Sequence, residues 1–473
     1  MNDKKQQFIV VIALIVIAVS TFIFWFVHNP VKDFSASIPG QDNRPKMDPK
    51  QVDSVVIGES FKYYLDFESR LTGKWTQFRG AESDNIVKNT KPLIDSFGGE
   101  EPKILWEVLL GEGHAAPVIL NGKTYILDYI EAKKQDALRC FSLETGEELW
   151  RRWYKVHIKR NHGMSRTTPA ITEKYILTIG PRGHVMCVEP NSGNLLWVLD
   201  LVKEYGSEIP FWYTGQCPII DNGVAIIAPG GKAIMIGVDC ATGNVLWETA
   251  NPDSLQMSHS SIMPMKLGTK ETYVYAAIGS IVGISAEGYD LGKVLWKNKV
   301  FSPNVIAPSP LVLPGNRIFM TAGYGAGSIL LEINEKNYSV SVVDHYKPKH
   351  GLASEQQTPI LWNGHLFGIL PKDASGLRNQ FVCVKPENPK EILWSSGKSE
   401  RFGLGPYVWA DNKFFILNDD GTLSIVKAST TGFILLDKVR IIEGHDAWGP
   451  LAIADGFLLM RDSKHMVCID ISK

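Results

Sequence analysis

The chain has 473 residues, and its 49 lysine and arginine residues nearly balance its 50 aspartate and glutamate residues. This balance provides no general excess of positive charge of the kind that nucleic-acid binding requires, and no nucleic-acid partner is expected. With 42 glycines, 26 prolines and 44% hydrophobic residues, the composition is typical of a large globular β protein.

The N-terminus carries the first predicted element, a membrane anchor over residues 8–27 that follows a short cytoplasmic tail over residues 1–7. The anchor contains no charged residue, and at about 1.5 Å per residue it spans a hydrocarbon core of about 30 Å. Lys4 and Lys5 precede it, which favours a cytoplasmic N-terminus and places the rest of the chain on the extracytoplasmic, periplasmic side. A cleaved signal peptide is the alternative, but its apolar core is usually only about 7–15 residues long.

Two segments connect the anchor to the rest of the chain. Residues 28–74 mix Pro, Asp, Lys and Gln and are predicted to form a stalk, with a short helix around residues 51–71. Residues 75–103 are predicted to lead into the first repeat. The stalk therefore separates a membrane span from a single large domain over residues 104–473.

That domain is recognised by tryptophans that recur every 42–51 residues once two weaker copies, Val343 and Leu436, are counted. A period of this length is one supersecondary unit, which must stack on its neighbours or close into a ring. The best copies cover residues 140–150, 187–197 and 237–247, each with a small residue, a turn containing glycine, and apolar residues before the tryptophan. The structural tryptophans are Trp106, Trp150, Trp197, Trp247, Trp296 and Trp394.

Prolines that open a strand recur in phase with the tryptophans, and they count eight units. They are Pro117, Pro169, Pro218, Pro264, Pro310, Pro359, Pro406 and Pro450. An apolar stretch, a turn such as Asn121-Gly122 and a second apolar stretch follow, so that each unit has four antiparallel strands. The sequence therefore predicts an all-β, eight-bladed β-propeller, closed by pairing a strand over residues 104–110 with one over residues 468–473.

The repeated motif resembles the Ala-x-Asp-x-x-Thr-Gly-x-x-x-Trp repeat of the pyrroloquinoline-quinone-like (PQQ-like) β-propellers, and the resemblance covers residues 104–473. Residues 75–80, Trp-Thr-Gln-Phe-Arg-Gly, also look like the lead-in of many bacterial propellers of this kind. This superfamily includes quinoprotein alcohol dehydrogenases and non-enzymatic members such as the lipoprotein BamB. The first cysteine here is Cys140, so lipid attachment near the N-terminus is not expected.

The resemblance implies a choice between an enzyme and a binding protein. The quinone of the family's enzymes lies between a tryptophan and two adjacent cysteines, near a calcium ion, and this chain has no Cys-Cys pair and no haem-attachment motif. Four of the six cysteines occupy the small position of the repeat, where burial explains them; they are Cys140, Cys187, Cys383 and Cys468. No cofactor or metal is expected, and a quinone-dependent oxidoreductase using PQQ and calcium is the alternative.

Polar and aromatic residues just before the strand-opening prolines are the candidates for ligand binding, because these loops surround one mouth of the axial channel. They are His114, Arg166, Gln216, His259, Gln356, Gln357, Arg401, His445 and Trp448, with Glu355 beside them as a lone acidic group. Placed donors and aromatic faces of this kind suit an anionic or sugar-like ligand. The alternative is that they bond only to neighbouring turns and channel water.

One basic stretch, residues 151–162, alternates cationic with apolar side chains. As an outer strand it is predicted to form a basic edge of the propeller. This edge either binds an anionic partner or serves only to prevent unwanted pairing with other strands. The sequence as a whole favours a membrane-anchored, extracytoplasmic propeller that acts without catalysis as a scaffold or binding module for protein partners in the cell envelope.

Overall fold

The computed structural model describes residues 2–28, 55–88 and 90–473 of the chain. The N-terminal helix, α1 (Asn2–Val27), contains a window, Lys4–Val27, that is long and apolar enough to cross a membrane. At about 1.5 Å per residue that window is about 36 Å long, against a hydrocarbon core of about 30 Å. The predicted apolar helix is confirmed. The helix and the β domain are separate units and are described separately.

The segment before the first repeat contributes four strands to the β domain. These are β1 (Ser60–Tyr63), β2 (Lys74–Trp75), β3 (Ile86–Val87) and β4 (Ile104–Leu109). Each pairs with a strand that lies later in the chain, and none of the four pairs with another of them.

Eight sheets follow, each built around four antiparallel strands. Blade 1 contains β5 (Val118–Leu120), β6 (Lys123–Ile130), β7 (Gln135–Ser142) and β8 (Glu148–Lys155). Blade 2 contains β9 (Ala170–Ile171), β10 (Ile176–Ile179), β11 (His184–Val188) and β12 (Leu195–Asp200), followed by the short helix α2 (Leu201–Tyr205). Blade 3 contains β13 (Ile219–Asp221), β14 (Val224–Ile227), β15 (Ala233–Asp239) and β16 (Val245–Ala250). Blade 4 contains β17 (Met263–Leu267), β18 (Lys270–Ala277), β19 (Ser280–Ser285) and β20 (Val294–Asn298).

The second half of the ring repeats this order. Blade 5 contains β21 (Leu311–Leu313), β22 (Arg317–Ala322), β23 (Gly327–Ile333) and β24 (Val340–Tyr346). Blade 6 contains β25 (Ile360–Trp362), β26 (His365–Ile369), β27 (Phe381–Lys385) and β28 (Asn388–Ser395). Blade 7 contains β29 (Tyr407–Ala410), β30 (Lys413–Leu417), β31 (Thr422–Lys427) and β32 (Leu435–Arg440). Blade 8 contains β33 (Ala452–Ala454), β34 (Phe457–Arg461) and β35 (His465–Asp470) together with β4.

The ring closes as predicted, because the first repeat strand pairs with the last. In blade 8, β35 pairs antiparallel with β4, and Cys468 lies opposite Trp106. The first strands of neighbouring blades contact one another, as β5 contacts both β9 and β33, and they therefore line the axis. The predicted eight-bladed, four-stranded propeller is confirmed.

The tryptophan motif has a direct structural explanation. In every blade the pairing of the third and fourth strands is interrupted by a bulge at the motif, as between Cys187 and Val188 opposite Trp197. The motif tryptophan then packs over the turn glycine of the next blade, where a Cβ would lie about 3 Å or less from the ring. The pairs are Trp106 with Gly146 (2.6 Å), Trp150 with Gly193 (3.1 Å), Trp197 with Gly243 (2.7 Å) and Trp247 with Gly292 (2.9 Å). Tryptophan and glycine therefore recur together because they form one contact between blades.

The basic stretch is not at a free edge, contrary to the sequence prediction. Strand β1 pairs antiparallel with the outer side of β8, with Phe61 opposite Arg152. The Arg152 side chain is buried and donates to the carbonyl oxygens of Gly193 (2.7 Å) and Gly58 (2.7 Å). Arg151 forms an ion pair with Glu148. Arg152 and the pairing of β1 with β8 therefore attach residues 58–63 to the propeller.

The predicted helix around residues 51–71 is wrong over its described part. Residues 55–71 contain the strand β1 and no helix, while residues 51–54 lie outside the described residues. The backbone N–H of Tyr64 donates to the carbonyl of Leu149 (2.9 Å), and the Ser69 hydroxyl donates to Glu144 (2.9 Å). The C-terminal part of the predicted stalk therefore packs on blade 1, where tertiary contacts outweigh its weak helical pattern.

Candidate functional site

The loops that lead into the first strands bring side chains from several blades together at one mouth of the axial channel. At the junction of blades 8, 1 and 2, the rings of His114 and Trp448 stack with centroids 3.5 Å apart. The Arg166 guanidinium lies over the Trp448 ring, with its carbon 5.8 Å from the ring centroid. Arg166 also donates to the backbone oxygen of His162, which fixes its position.

The far side of the mouth is aromatic as well. Trp212 and Tyr324 stack at 5.9 Å, and Trp212 lies 6.1 Å from the His259 ring. The Lys372 ammonium lies 5.6 Å from the Tyr324 ring centroid and 3.6 Å from Glu355 Oε1. Tyr324 comes from the loop between the second and third strands of blade 5, which is at the same face of the ring.

Gln357 connects the two sides. Its Nε2 donates to the carbonyl oxygens of Trp448 (3.3 Å) and Leu404 (3.4 Å), which belong to blades 8 and 7. A recess of about 10 Å³ next to it is lined in part by Glu355 and Gln356, and has room for about one water molecule. We call the following residues the mouth cluster: His114, Arg166, Trp212, His259, Tyr324, Glu355, Gln357 and Trp448.

Four polar atoms of the mouth cluster are buried and have no hydrogen-bond partner among the described residues. They are His114 Nδ1, Arg166 Nε, His259 Nε2 and Glu355 Oε2. Buried polar atoms in folded proteins are nearly always paired with protein, water or a ligand. These atoms come from four blades, so the cluster offers both donors and an acceptor to whatever enters the mouth.

Burial sets the charge of the mouth. Burial, together with the positive charge of Arg166, lowers the pKa of His259 to about 3 and the pKa of His114 well below its ordinary value, so both rings are neutral at neutral pH. Burial lowers the pKa of Arg166 to about 10, which leaves it protonated. Burial raises the pKa of Glu355, and the Glu355 side chain is only 8% exposed. The mouth therefore holds one buried cation and one buried carboxyl group among neutral rings.

Three of the predicted ligand-binding residues lie apart from the cluster. Gln216 is fully buried, and its side chain exchanges two hydrogen bonds with the backbone of Ala228 (2.7 and 2.8 Å), which is a structural role. Arg401 donates to the backbone oxygens of Lys398 and Arg378. The His445 side chain is 84% exposed and contacts Asp446 (3.1 Å).

The sequence reasoning missed Trp212, Tyr324 and Asp419. Trp212 stands in an aromatic run, residues 211–213, inside a loop, and Tyr324 stands between glycines in the sequence Gly-Tyr-Gly-Ala-Gly, residues 323–327. Aromatic residues in loop sequences were a signal by which Trp212 and Tyr324 could have been found. Asp419 lies on the turn between β30 and β31, and its Oδ1 accepts from the backbone N–H of Leu404 (2.8 Å). Burial, together with the negative charges of Asp446, Asp420 and Glu355, raises the pKa of Asp419 to about 6.

The segment before the repeats crosses between blades on different sides of the ring. Strand β2 pairs with β5 of blade 1, and the Thr76 carbonyl accepts from Ile171 of blade 2 (2.8 Å). The chain then reaches the far side of the ring, where Arg79 donates to the Pro359 carbonyl (3.1 Å) and β3 pairs parallel with β29. The segment therefore joins blades on opposite sides of the axis.

The residues at the mouth do not fit the calcium-bound quinone that the resemblance implies. The Trp448 ring already stacks on the His114 ring at 3.5 Å, so that face of the tryptophan is not free to stack on a planar cofactor. All six cysteines are buried in the blades, and none is adjacent in sequence to another. Across the described ranges, no group of three or more His, Cys, Asp or Glu side chains could hold a metal ion.

Comparisons with known proteins agree with this fold. A family model described as outer membrane protein assembly factor BamB matches residues 86–197 and 133–388. Quinohemoprotein alcohol dehydrogenase from Comamonas testosteroni is similar in structure, with a TM-score of 0.59 at 10% identity over 85% of this chain and 81% of that chain. BamB from Moraxella catarrhalis has a TM-score of 0.52 at 12% identity over 78% of this chain and 100% of that chain.

A europium-containing methanol dehydrogenase has a TM-score of 0.58 at 11% identity, over 84% of this chain and 89% of that chain. At these identities the likenesses show the fold and not the activity. The comparison with curated proteins gives no match. Because the family match extends over more than half of the sequence, the chain belongs to the PQQ-like repeat β-propellers, in the family described as outer membrane protein assembly factor BamB.

Proposed function

We propose that the protein is a membrane-anchored, extracytoplasmic binding module that acts without catalysis in a process of the cell envelope, and that its mouth cluster holds the ligand or partner. The observation that carries this proposal is the set of buried, unpaired polar atoms that four blades direct to one mouth. A binding protein requires placed polar groups among aromatic surfaces, and the mouth cluster has that composition.

The apolar helix and the lysines at its N-terminal end support an extracytoplasmic location of the propeller. The helix α1 contains a membrane-length apolar window, and Lys4 and Lys5 stand at its N-terminal end. The positive-inside tendency then leaves the propeller on the extracytoplasmic side. This location suits a protein that meets partners at or near the outer surface of the cytoplasmic membrane.

The acidic groups at the mouth support binding over catalysis. Glu355 Oε1 is 3.6 Å from the Lys372 ammonium, and Asp419 Oδ1 is occupied by the backbone N–H of Leu404. Glycoside hydrolysis, for example, requires two carboxyl groups that are free to face a substrate from opposite sides. Here one carboxyl oxygen stabilises a loop, so the pair is arranged for structure and polar recognition.

Site-specific photo-crosslinking in native membranes tests the proposal. A photoreactive amino acid at Tyr324, in the mouth cluster, is expected to give a discrete crosslinked product. The same amino acid at Tyr289, which is 94% exposed on the opposite face of the ring, is the control and is expected to give none of that product.

The Glu355→Gln variant completes the test, since it removes the charge of the buried carboxyl and keeps its shape. It is expected to weaken the Tyr324 product without changing the melting temperature. Identical products from both positions, or no product from Tyr324, contradict the assignment of the mouth.

A further inference from the structure

A second recess lies far from the mouth, on the face of the ring that carries the hairpin turns. Its volume is about 310 Å³, and it lies between blades 1 and 2. Lys123 and Tyr125 of β6 form one side, since alternate residues of a strand share a face. Glu173 and Asn191, on two turns of blade 2, form another side.

The segment before the repeats forms the remaining wall, and it is firmly attached. Phe67, Glu68 and Ser69 line the recess. The Ser69 hydroxyl donates to Glu144 (2.9 Å), and a Cβ at Gly122 would lie 2.2 Å from Ser69 Oγ, so only glycine allows this approach. The recess is therefore a preformed site built from three parts of the chain.

The charges in the recess are arranged with one cation and two carboxylates. Lys123 Nζ donates to Asn191 Oδ1 (3.1 Å), a neutral amide oxygen, and no ion pair of this lysine is found in the described part of the chain. The Glu173 carboxylate is oriented by Asn121, whose Nδ2 donates to it (2.8 Å). Glu68 is exposed at the rim. The half-buried lysine is thus available to a ligand anion, and the carboxylates to a ligand cation.

The surfaces between these charges are apolar. Leu120 and Tyr125 are buried, and Pro190 and the ring of Phe67 complete the lining. A volume of about 310 Å³ is at the small end of the range of about 300–1,000 Å³ that ligand sites occupy. The recess therefore suits a small molecule that carries both charges and one apolar group.

We propose that this recess binds a free α-amino acid with an apolar side chain. The ligand carboxylate pairs with Lys123, its ammonium group faces Glu173, and its side chain packs against Phe67 and Leu120. An anion without an ammonium group meets two carboxylates at the rim, and an amine without a carboxylate leaves the lysine unpaired. The zwitterion satisfies both kinds of charge, and this site is independent of the mouth cluster.

Isothermal titration calorimetry of the full-length protein in detergent micelles tests the proposal with three probes at neutral pH. L-Phenylalanine is expected to bind saturably. Phenylacetate and 2-phenylethylamine, which each lack one charge, are expected to bind about tenfold more weakly or worse, because each loses a charge-assisted hydrogen bond. Absence of L-phenylalanine binding, or equal affinity for either analogue, overturns the proposal.

Variants locate the binding. Lys123→Met is expected to lower the affinity for L-phenylalanine about tenfold and to leave the weak affinity for 2-phenylethylamine unchanged. Lys174→Met, at an exposed lysine outside the recess, is the matched control and is expected to bind as the wild type does. Glu173→Gln changes an exposed side chain, so it keeps the test valid even if Lys123→Met folds poorly, and it is expected to weaken L-phenylalanine binding.

Unchanged L-phenylalanine affinity in both Lys123→Met and Glu173→Gln overturns the proposal. Glu355→Gln at the mouth is expected to bind L-phenylalanine as the wild type does. A loss of binding in that variant places the ligand at the mouth and overturns the assignment to this recess.

Discussion

Replacing Trp150 with alanine tests the contact between blades on which the repeat depends. The Trp150 side chain is 1% exposed, and it packs on the turn glycine Gly193, on Phe61 (6.2 Å between ring centroids) and on Tyr125 (5.9 Å). A buried aromatic side chain removes about 150–250 Å² from water, worth about 4–6 kcal/mol at about 25 cal/mol per Å². Its indole N–H has no partner, so part of that gain is offset, and we expect a net cost of about 4 kcal/mol.

Trp197→Ala is the matched control, because Trp197 is only half-buried and its indole N–H donates to the Cys240 carbonyl (2.9 Å). We expect about half the cost of Trp150→Ala. Urea unfolding of the full-length variants, followed by far-ultraviolet circular dichroism, measures the difference in midpoint and slope. A cost below about 1 kcal/mol for Trp150→Ala, or equal costs for both variants, refutes the reasoning that burial at the blade contact stabilises the ring.

Three further changes give separate tests. Burial raises the pKa of Asp136 to about 7 from about 3.9 in the unfolded chain, so the free energy of unfolding falls as the pH rises from about 4 to 7. The Asp136→Asn variant lacks this fall and is expected to be more stable than the wild type at pH 8 by roughly 2–4 kcal/mol in urea unfolding. An unchanged dependence of stability on pH in the variant contradicts this prediction. Gly146→Ala places a Cβ 2.6 Å from the Trp106 ring and is expected to lower the melting temperature more than the control Gly206→Ala, whose glycine has a similar positive φ and no neighbouring atom within 4 Å. Equal losses in both variants show that backbone strain alone, and not the contact with Trp106, causes the loss of stability. Arg152→Met leaves the Gly58 and Gly193 carbonyl oxygens without their donor and is expected to speed amide hydrogen exchange over β1. Lys155→Met, at an exposed lysine of the same strand, is the control. Unchanged exchange in Arg152→Met contradicts the attachment of β1 through this side chain.

The blades could be predicted from the sequence because each repeat contains its own contact and its own turns. Both residues of the predicted turns Asn121-Gly122 and Asn363-Gly364 have positive φ (51° and 71°, 46° and 70°), as such hairpins require. Tryptophan and glycine recur because they meet across neighbouring blades. These signals are local, and the ring repeats them eight times.

Strands β1, β2 and β3 could not be predicted, since their pairing partners are far away in the chain. Strand β2 has two residues and pairs with β5, and β1 covers the outer side of β8. Periodicity over two to four residues gives no reliable signal. The basic residues 151–162 were therefore assigned to a free edge, whereas β1 pairs with residues 151–153 of that edge.

The mouth could be predicted in part. Loops before the prolines correctly indicated where His114 and Trp448 lie, and the structure adds that the two rings stack. Gln216 occupies the same kind of loop and yet bonds the backbone of its own blade, because its side chain is directed into the sheet. Position in a loop predicts nearness to the channel, and the direction of the side chain decides what it contacts.

The most direct test of the central claim is a titration of the full-length protein in detergent micelles with pyrroloquinoline quinone and calcium, read by absorbance and by the shift in melting temperature. A binding module in which the Trp448 ring already stacks on His114, and in which no two cysteines are adjacent, is expected to show no saturable quinone binding and no change in melting temperature. Tight saturable binding with a stabilised protein contradicts the claim and indicates a quinone-dependent oxidoreductase.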